Sequence, residues 1–169
     1  VARWIGGNSG YQSRTPDGKR WLDRADPRHT GATMAGNQLY FAWGVDRGSN
    51  QRPQPFIQIA RLDATNLTLL ENINIFDTES ATCYGALSTN ADGEVGISYM
   101  IGGGTRFPTH VVGILTNDRK NVTTSAGTRS PLDNEWGDYL TVRRVFPNER
   151  LFAALRAIAE RDGLRIHVG

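Results

Sequence analysis

The chain has 169 residues, 38% of them hydrophobic and 21% charged, with 19 Gly and 7 Pro, a composition that fits one folded domain and excludes a disordered or low-complexity chain. One cysteine, Cys83, excludes an intrachain disulfide and any zinc site built from several cysteines, and no apolar run reaches the length of a membrane-spanning helix. The formal charge of +2 arises from 19 basic residues, all arginine except Lys19 and Lys120, interleaved with 17 acidic ones; this mixed pattern makes no basic patch and no nucleic-acid partner is expected.

Residues 1–28 are expected to hold the outer strand of a preceding unit and a long connecting loop. Short β-patterned runs then recur in order. Gly31-Ala-Thr-Met34 leads through the turn signal Gly36-Asn37 into Gln38-Leu-Tyr-Phe-Ala-Trp43, followed by Phe56-Ile-Gln-Ile-Ala-Arg-Leu62 and Leu67-Thr-Leu-Leu-Glu-Asn-Ile-Asn-Ile-Phe76. The same order returns as Tyr84-Gly-Ala-Leu-Ser88, the turn Asp92-Gly93, Glu94-Val-Gly-Ile-Ser-Tyr99, His110-Val-Val-Gly-Ile-Leu115 and the weaker Asn121-Val-Thr-Thr124. A third round reads Tyr139-Leu-Thr-Val-Arg-Arg-Val145, the turn Pro147-Asn148, the run from Leu151 to Ala154, and Leu164-Arg-Ile-His-Val168. Leu39, Val95 and Leu151 anchor corresponding second runs at a regular step of 56 residues.

Four antiparallel strands per repeat of this length predict a β-propeller blade. The expected fold is therefore all-β, a partial propeller of about three four-stranded blades: 29–80, 81–135 and an incomplete 136–169. One segment pulls the other way. Leu151, Leu155, Ile158 and Ala159 fall at helical spacing among strong helix formers; the repeat frame nevertheless requires strand there, with a turn near Asp162-Gly163. About three blades do not close a ring, so the remaining blades are expected from the same or another chain, and the start at Val1 and the stop in mid-unit are expected of a fragment.

The stretch Asn134-Glu-Trp-Gly-Asp-Tyr139, followed by Leu-Thr-Val-Arg-Arg-Val-Phe-Pro-Asn148 and Leu151-Phe152, resembles a pattern near the C-terminus of bacterial secreted β-propeller proteins distantly akin to sialidases and BNR-repeat proteins. The runs upstream, from Leu22-Asp-Arg-Ala-Asp-Pro-Arg-His29 through Asn90-Ala-Asp-Gly-Glu94, resemble consecutive blade elements of that family in order. The resemblance implies a propeller fold and an extracellular, periplasmic or cell-surface location. Sialidase Asp boxes read Ser/Thr-x-Asp-x-Gly-x-x-Trp, whereas Thr15-Pro-Asp-Gly-Lys-Arg-Trp21 lacks the residue between Asp and Gly, and the arginine triad matches no arginine by motif.

No catalytic constellation stands out. Glu135 and Asp138, beside Trp136 and Tyr139, form the one candidate acid/base pair for a sugar ring, with a polar loop bonding its own backbone as the plainer reading. Gly102-Gly-Gly-Thr-Arg-Phe-Pro-Thr109 lacks the Gly-Lys-Ser/Thr of a phosphate loop and is expected to be a flexible connection carrying Arg106 and Phe107 at its tip. His29, His110 and His167 have no metal-ligand spacing, Cys83 reads as a buried inert thiol, and neither a metal nor a cofactor is expected. The expected function is non-enzymatic binding or scaffolding with a glycan as ligand, contacted by Trp136, Tyr139, Arg106 and Phe107. A sialidase-like glycoside hydrolase and a structural surface-assembly subunit are the alternatives.

Overall fold

The computed structural model describes residues 12–25, 27–115, 121–132, 134, 136, 139–147, 149–150, 152–160 and 163–168. Among them the alternating runs become strands: β1 (His29–Ala35), β2 (Gln38–Val45), β3 (Phe56–Asp63), β4 (Leu69–Ile75), β5 (Ala81–Thr89), β6 (Val95–Gly103), β7 (Arg106–Ile114), β8 (Asn121–Ser125), β9 (Tyr139–Arg144), β10 (Phe152–Glu160) and β11 (Gly163–Val168). The described residues contain no α-helix. Each strand pairs with its sequence neighbour, giving three antiparallel sheets, β1-β2-β3-β4, β5-β6-β7-β8 and β9-β10-β11.

Local turn chemistry sets this order. Ala35 pairs with Gln38 across a two-residue turn opened by Gly36 at φ +55°, and Gly103 pairs with Arg106 across a second turn opened by Gly104 at φ +62°. Only glycine enters that conformation without strain. The glycine-rich stretch is therefore a tight hairpin rather than the flexible connection expected. It is also pinned: the Gly104 amide donates to the Arg14 carbonyl at 2.9 Å, and a Cβ on Gly104 would stand 2.6 Å from the Glu79 carbonyl oxygen.

β10 settles the conflict between helical composition and repeat frame. It lies between β9 and β11, with Ala154 opposite Val142 and Ala157 opposite Ile166. Pairing on both sides outweighs a helix propensity worth a few tenths of a kcal/mol per residue, an order-of-magnitude figure.

The repeat itself is finer than one step. Met34–Leu39, Thr89–Val95 and Arg144–Phe152 are corresponding cross-strand pairs, so the first strands advance by 55 residues and the second strands by 56 and then 57. The hairpin loops lengthen from one sheet to the next. The expected anchor Leu151, which lies outside the described residues, is thereby replaced by Phe152, and that shift of one exchanges the faces of the third unit's second strand relative to a uniform frame.

Successive sheets stack face to face through their first strands: β1, β2 and β3 lie against β5, while β5 and β6 lie against β9. Gly31 makes the first approach possible, since a Cβ there would stand 2.8 Å from the Gly85 carbonyl oxygen and 2.8 Å from the Leu87 nitrogen. Thr30 Oγ1 donates to the Gly85 carbonyl at 2.7 Å, and the Thr33 and Thr89 hydroxyls meet at 2.8 Å. Between the first two sheets the core contains Tyr40, Ala42, Ile57, Ile59, Ile73, Leu87, Val95, Ile97, Tyr99, Ile101, Val111 and Leu115. Between the second and third it is smaller, Ala86, Val142 and Ala154 backed by Val112, Leu140 and Phe152.

The segment ahead of β1 packs on this chain. Arg14 and Arg20 form a bridge around a turn closed by Gly18 N to Thr15 O at 2.8 Å and Thr15 N to Lys19 O at 2.9 Å. Trp21, Leu22 and Ala25 then bury themselves beside Ala81, Cys83 and Met100. The described part of 1–28 contains no strand of a sheet, and residues 1–11 lie outside the described residues.

Candidate ligand site

The end of the second and third sheets that carries Ala81, Gly102 and the start of β9 gathers the aromatic side chains. Trp21 is fully buried. It fits because Gly102 lacks a side chain: a Cβ there would stand 3.0 Å from Trp21 Cζ2 and 3.0 Å from Pro108 Cα. Tyr84, Trp136 and Leu140, all half-buried, pack against the cluster of Trp21, Leu22, Ala25, Ala81, Cys83 and Met100.

Tyr84 reaches this cluster through a bulge. The β5–β6 register slips between Cys83 and Ala86, and Tyr84 adopts φ +58°. A bulky residue rarely adopts that conformation, which costs about 1–3 kcal/mol. The bulge re-aims the tyrosine ring and presents Gly85 to Gly31 of the neighbouring sheet.

The indole N–H groups of Trp21 and Trp136 are buried and have no hydrogen-bond partner among the described residues. Each such buried donor forgoes about 1–3 kcal/mol. Burial pushes the Cys83 thiol well up, so it stays protonated and inert. Burial also raises the Tyr99 phenol, with the Arg106 charge pulling against that shift and Asp77 adding to it.

Arg106 is exposed and Phe107 half-buried at the start of β7, next to the pinned turn. Gly102, the neighbour of Trp21, also faces Pro108 on this strand, and Trp21 belongs to the cluster on which Trp136 packs. The structure thus places Trp136, Arg106 and Phe107 at one end of the stacked sheets. Tyr139 opens β9 opposite Ala157, and Glu135 and Asp138 lie outside the described residues. No group of three metal-ligating side chains occurs among the described residues.

Three features escaped the sequence. Trp21 falls in the stretch expected to be outer strand and connecting loop, although its place three residues after Gly18 of the Pro16-Asp-Gly18 turn signals a hairpin return. The Tyr84 bulge is foreshadowed by Gly85 inside a strand. His110, 2% exposed, bonds the Ser98 hydroxyl through Nε2 at 2.8 Å in the interior, a pairing that no local spacing announces. Beneath the aromatic end, Ser130 and Thr15 hydrogen-bond Asp17, the Thr15 contact at 2.6 Å, and these bonds hold the Asp17 carboxyl below its usual range. Comparison with known protein families, curated proteins and solved structures gives no match to this chain.

Proposed function

We propose that this chain is a segment of a β-propeller with a non-enzymatic role, binding a carbohydrate at the aromatic end of its second and third sheets. The propeller reading is supported by three meander sheets in chain order, stacked first strand on first strand, with first strands repeating every 55 residues. The ligand reading is carried by one observation: Trp136, half-buried and with an indole donor that has no partner among the described residues, packs on the buried Trp21 cluster together with Tyr84, which sits in a strained bulge. A partly exposed indole with an unspent N–H donor suits the face and hydroxyls of a sugar, and the exposed Arg106 adds a fork for a carboxylate-bearing one.

The test is calorimetric titration with a panel of neutral and acidic glycans. Trp136→Phe keeps a ring and removes the donor; at least a tenfold loss of affinity with unchanged thermal stability is the expected result. Arg106→Ala is expected to weaken acidic glycans and spare neutral ones. A panel without binding, or binding untouched by Trp136→Phe, contradicts the proposal.

A further inference from the structure

The segment of residues 12–25 makes many of its contacts with itself. Arg14 Nη1 donates to the Gly18 carbonyl at 2.6 Å, Thr15 Oγ1 to the Lys19 carbonyl at 2.9 Å, and the Ala25 amide to the Leu22 carbonyl at 3.0 Å. Arg20 and Asp23 form an ion pair at 2.9 Å, and the turn at Gly18 adds the two backbone bonds already described. All of these close within the segment, so they survive if it moves as one piece.

Its ties to the sheets are of another kind. Among the described residues its backbone hydrogen bonds to the rest of the chain are those from the Gly104 amide to the Arg14 carbonyl at 2.9 Å and from the Asp23 amide to the Asn134 carbonyl at 3.3 Å. The second is longer than the usual N–H···O range. The Ser130 hydroxyl adds contacts to Thr15 Oγ1 at 2.6 Å and to the Asp17 carboxylate. No described residue of the segment belongs to one of the three sheets, so lifting it breaks no ladder bond between strands.

The seating is apolar and incompletely satisfied. Trp21, Leu22 and Ala25 are at most 4% exposed and stand with Ala81, Cys83 and Met100, a burial that favours the closed position. Two polar atoms work against it. Trp21 Nε1 and Ser13 Oγ, the latter over Gly103 where any Cβ would collide, are buried without a hydrogen-bond partner among the described residues. Each gains a bond to water when the segment lifts.

We propose that residues 12–25 are a latch that closes over the second sheet and opens as one unit while the three sheets stay folded. The inference goes beyond the glycan reading and does not depend on it. In the open state Trp21 leaves the cluster on which Tyr84 and Trp136 pack, and Cys83 and Met100 lose its cover. The aromatic end thereby has two surfaces, exchanged by a local opening that costs less than global unfolding.

Cys83 is the one cysteine of the chain and is buried in that cluster, so labelling with an excess of a thiol reagent reads the opening. In the wild type the rate is expected to change little with urea at low concentration and to bend upward only where circular dichroism records global unfolding. Ser130→Ala removes a hydroxyl that ties the latch down and is expected to raise the low-urea rate about tenfold. Trp21→Phe, which thins the plug, is the second variant and is expected to act in the same direction. Ile97→Val weakens the first interface, away from the latch, and is expected to lower the urea midpoint while leaving the low-urea rate unchanged. Labelling that follows global unfolding at every urea concentration overturns the inference. So does an Ile97→Val chain whose low-urea rate rises in step with its unfolded fraction, or a rate that neither Ser130→Ala nor Trp21→Phe alters.

Discussion

The two internal interfaces share one topology and differ in chemistry. Between the first and second sheets, long aliphatic side chains from both sides interlock around Ile57, Ile59 and Ile97, with Gly31 letting the first strands approach and Gly85 making room for Ile57. Between the second and third, alanines replace isoleucines, Phe152 lies flat over Gly96, where a Cβ would stand 2.9 Å from its ring, and a buried Ser98–His110 pair occupies space that is apolar in the first. A repeat thus specifies where sheets meet without specifying what holds them. The first interface is an apolar core with one close backbone approach at Gly31; the second substitutes a phenyl ring seated on Gly96, a polar pair and a tryptophan plug from the segment ahead of β1.

The largest expected effect lies in the first interface. Ile97→Ala removes a fully buried side chain at its centre and is expected to cost about 2–5 kcal/mol in urea unfolding. A cost below about 1 kcal/mol would erase the contrast between the interfaces. Next comes Ser98→Ala, which removes the hydroxyl that His110 Nε2 bonds; about 1–3 kcal/mol is expected. Its effect should appear first as faster amide exchange in β9 and β10, with β2 and β3 retaining protection. Uniform loss of protection across all three sheets would show that the second interface does not open separately.

The smallest effect concerns acid. Hydrogen bonds from Ser130 and then Thr15 lower the Asp17 pKa in the folded chain, so the folded state favours the ionised carboxylate more than the unfolded state does. That stabilisation is complete above the ordinary carboxylate pKa and fades as pH falls below about 4. Asp17→Asn is expected to flatten this acid limb and to leave stability at pH 7 changed by less than the Ile97 substitution changes it. An acid limb of unaltered slope in the variant would detach Asp17 from the anchoring of the tryptophan plug.

The strands were legible because each carries alternation bounded by a glycine or asparagine turn, as in Gly36-Asn37 ahead of β2 and Asp92-Gly93 ahead of β6. The β10 strand was legible only through the repeat, since its own residues favour helix and its pairing partners lie in β9 and β11. The one-residue shift at Phe152 was not legible, because a longer hairpin loop leaves no mark in the apolar pattern. Trp136, Arg106 and Phe107 could be picked out as aromatic or charged residues beside turns. Their association with Trp21 depends on Gly102 and on a contact spanning much of the chain, which local patterns do not encode. The Tyr84 bulge likewise coincides with the approach of Gly31 from a different sheet to Gly85, which local patterns do not encode.

The central claim is that consecutive sheets stack face to face through their first strands, and the Thr33–Thr89 contact reads it directly. The two hydroxyls meet at 2.8 Å across the first interface, close enough for cysteines at these positions to bridge. Mass spectrometry of the oxidised Thr33→Cys/Thr89→Cys chain is expected to show one intramolecular disulfide joining the peptides that contain residues 33 and 89, with the buried Cys83 unmodified. A chain that keeps both new thiols reduced under oxidising conditions, or links them only between molecules, would contradict the stacking and with it the propeller reading.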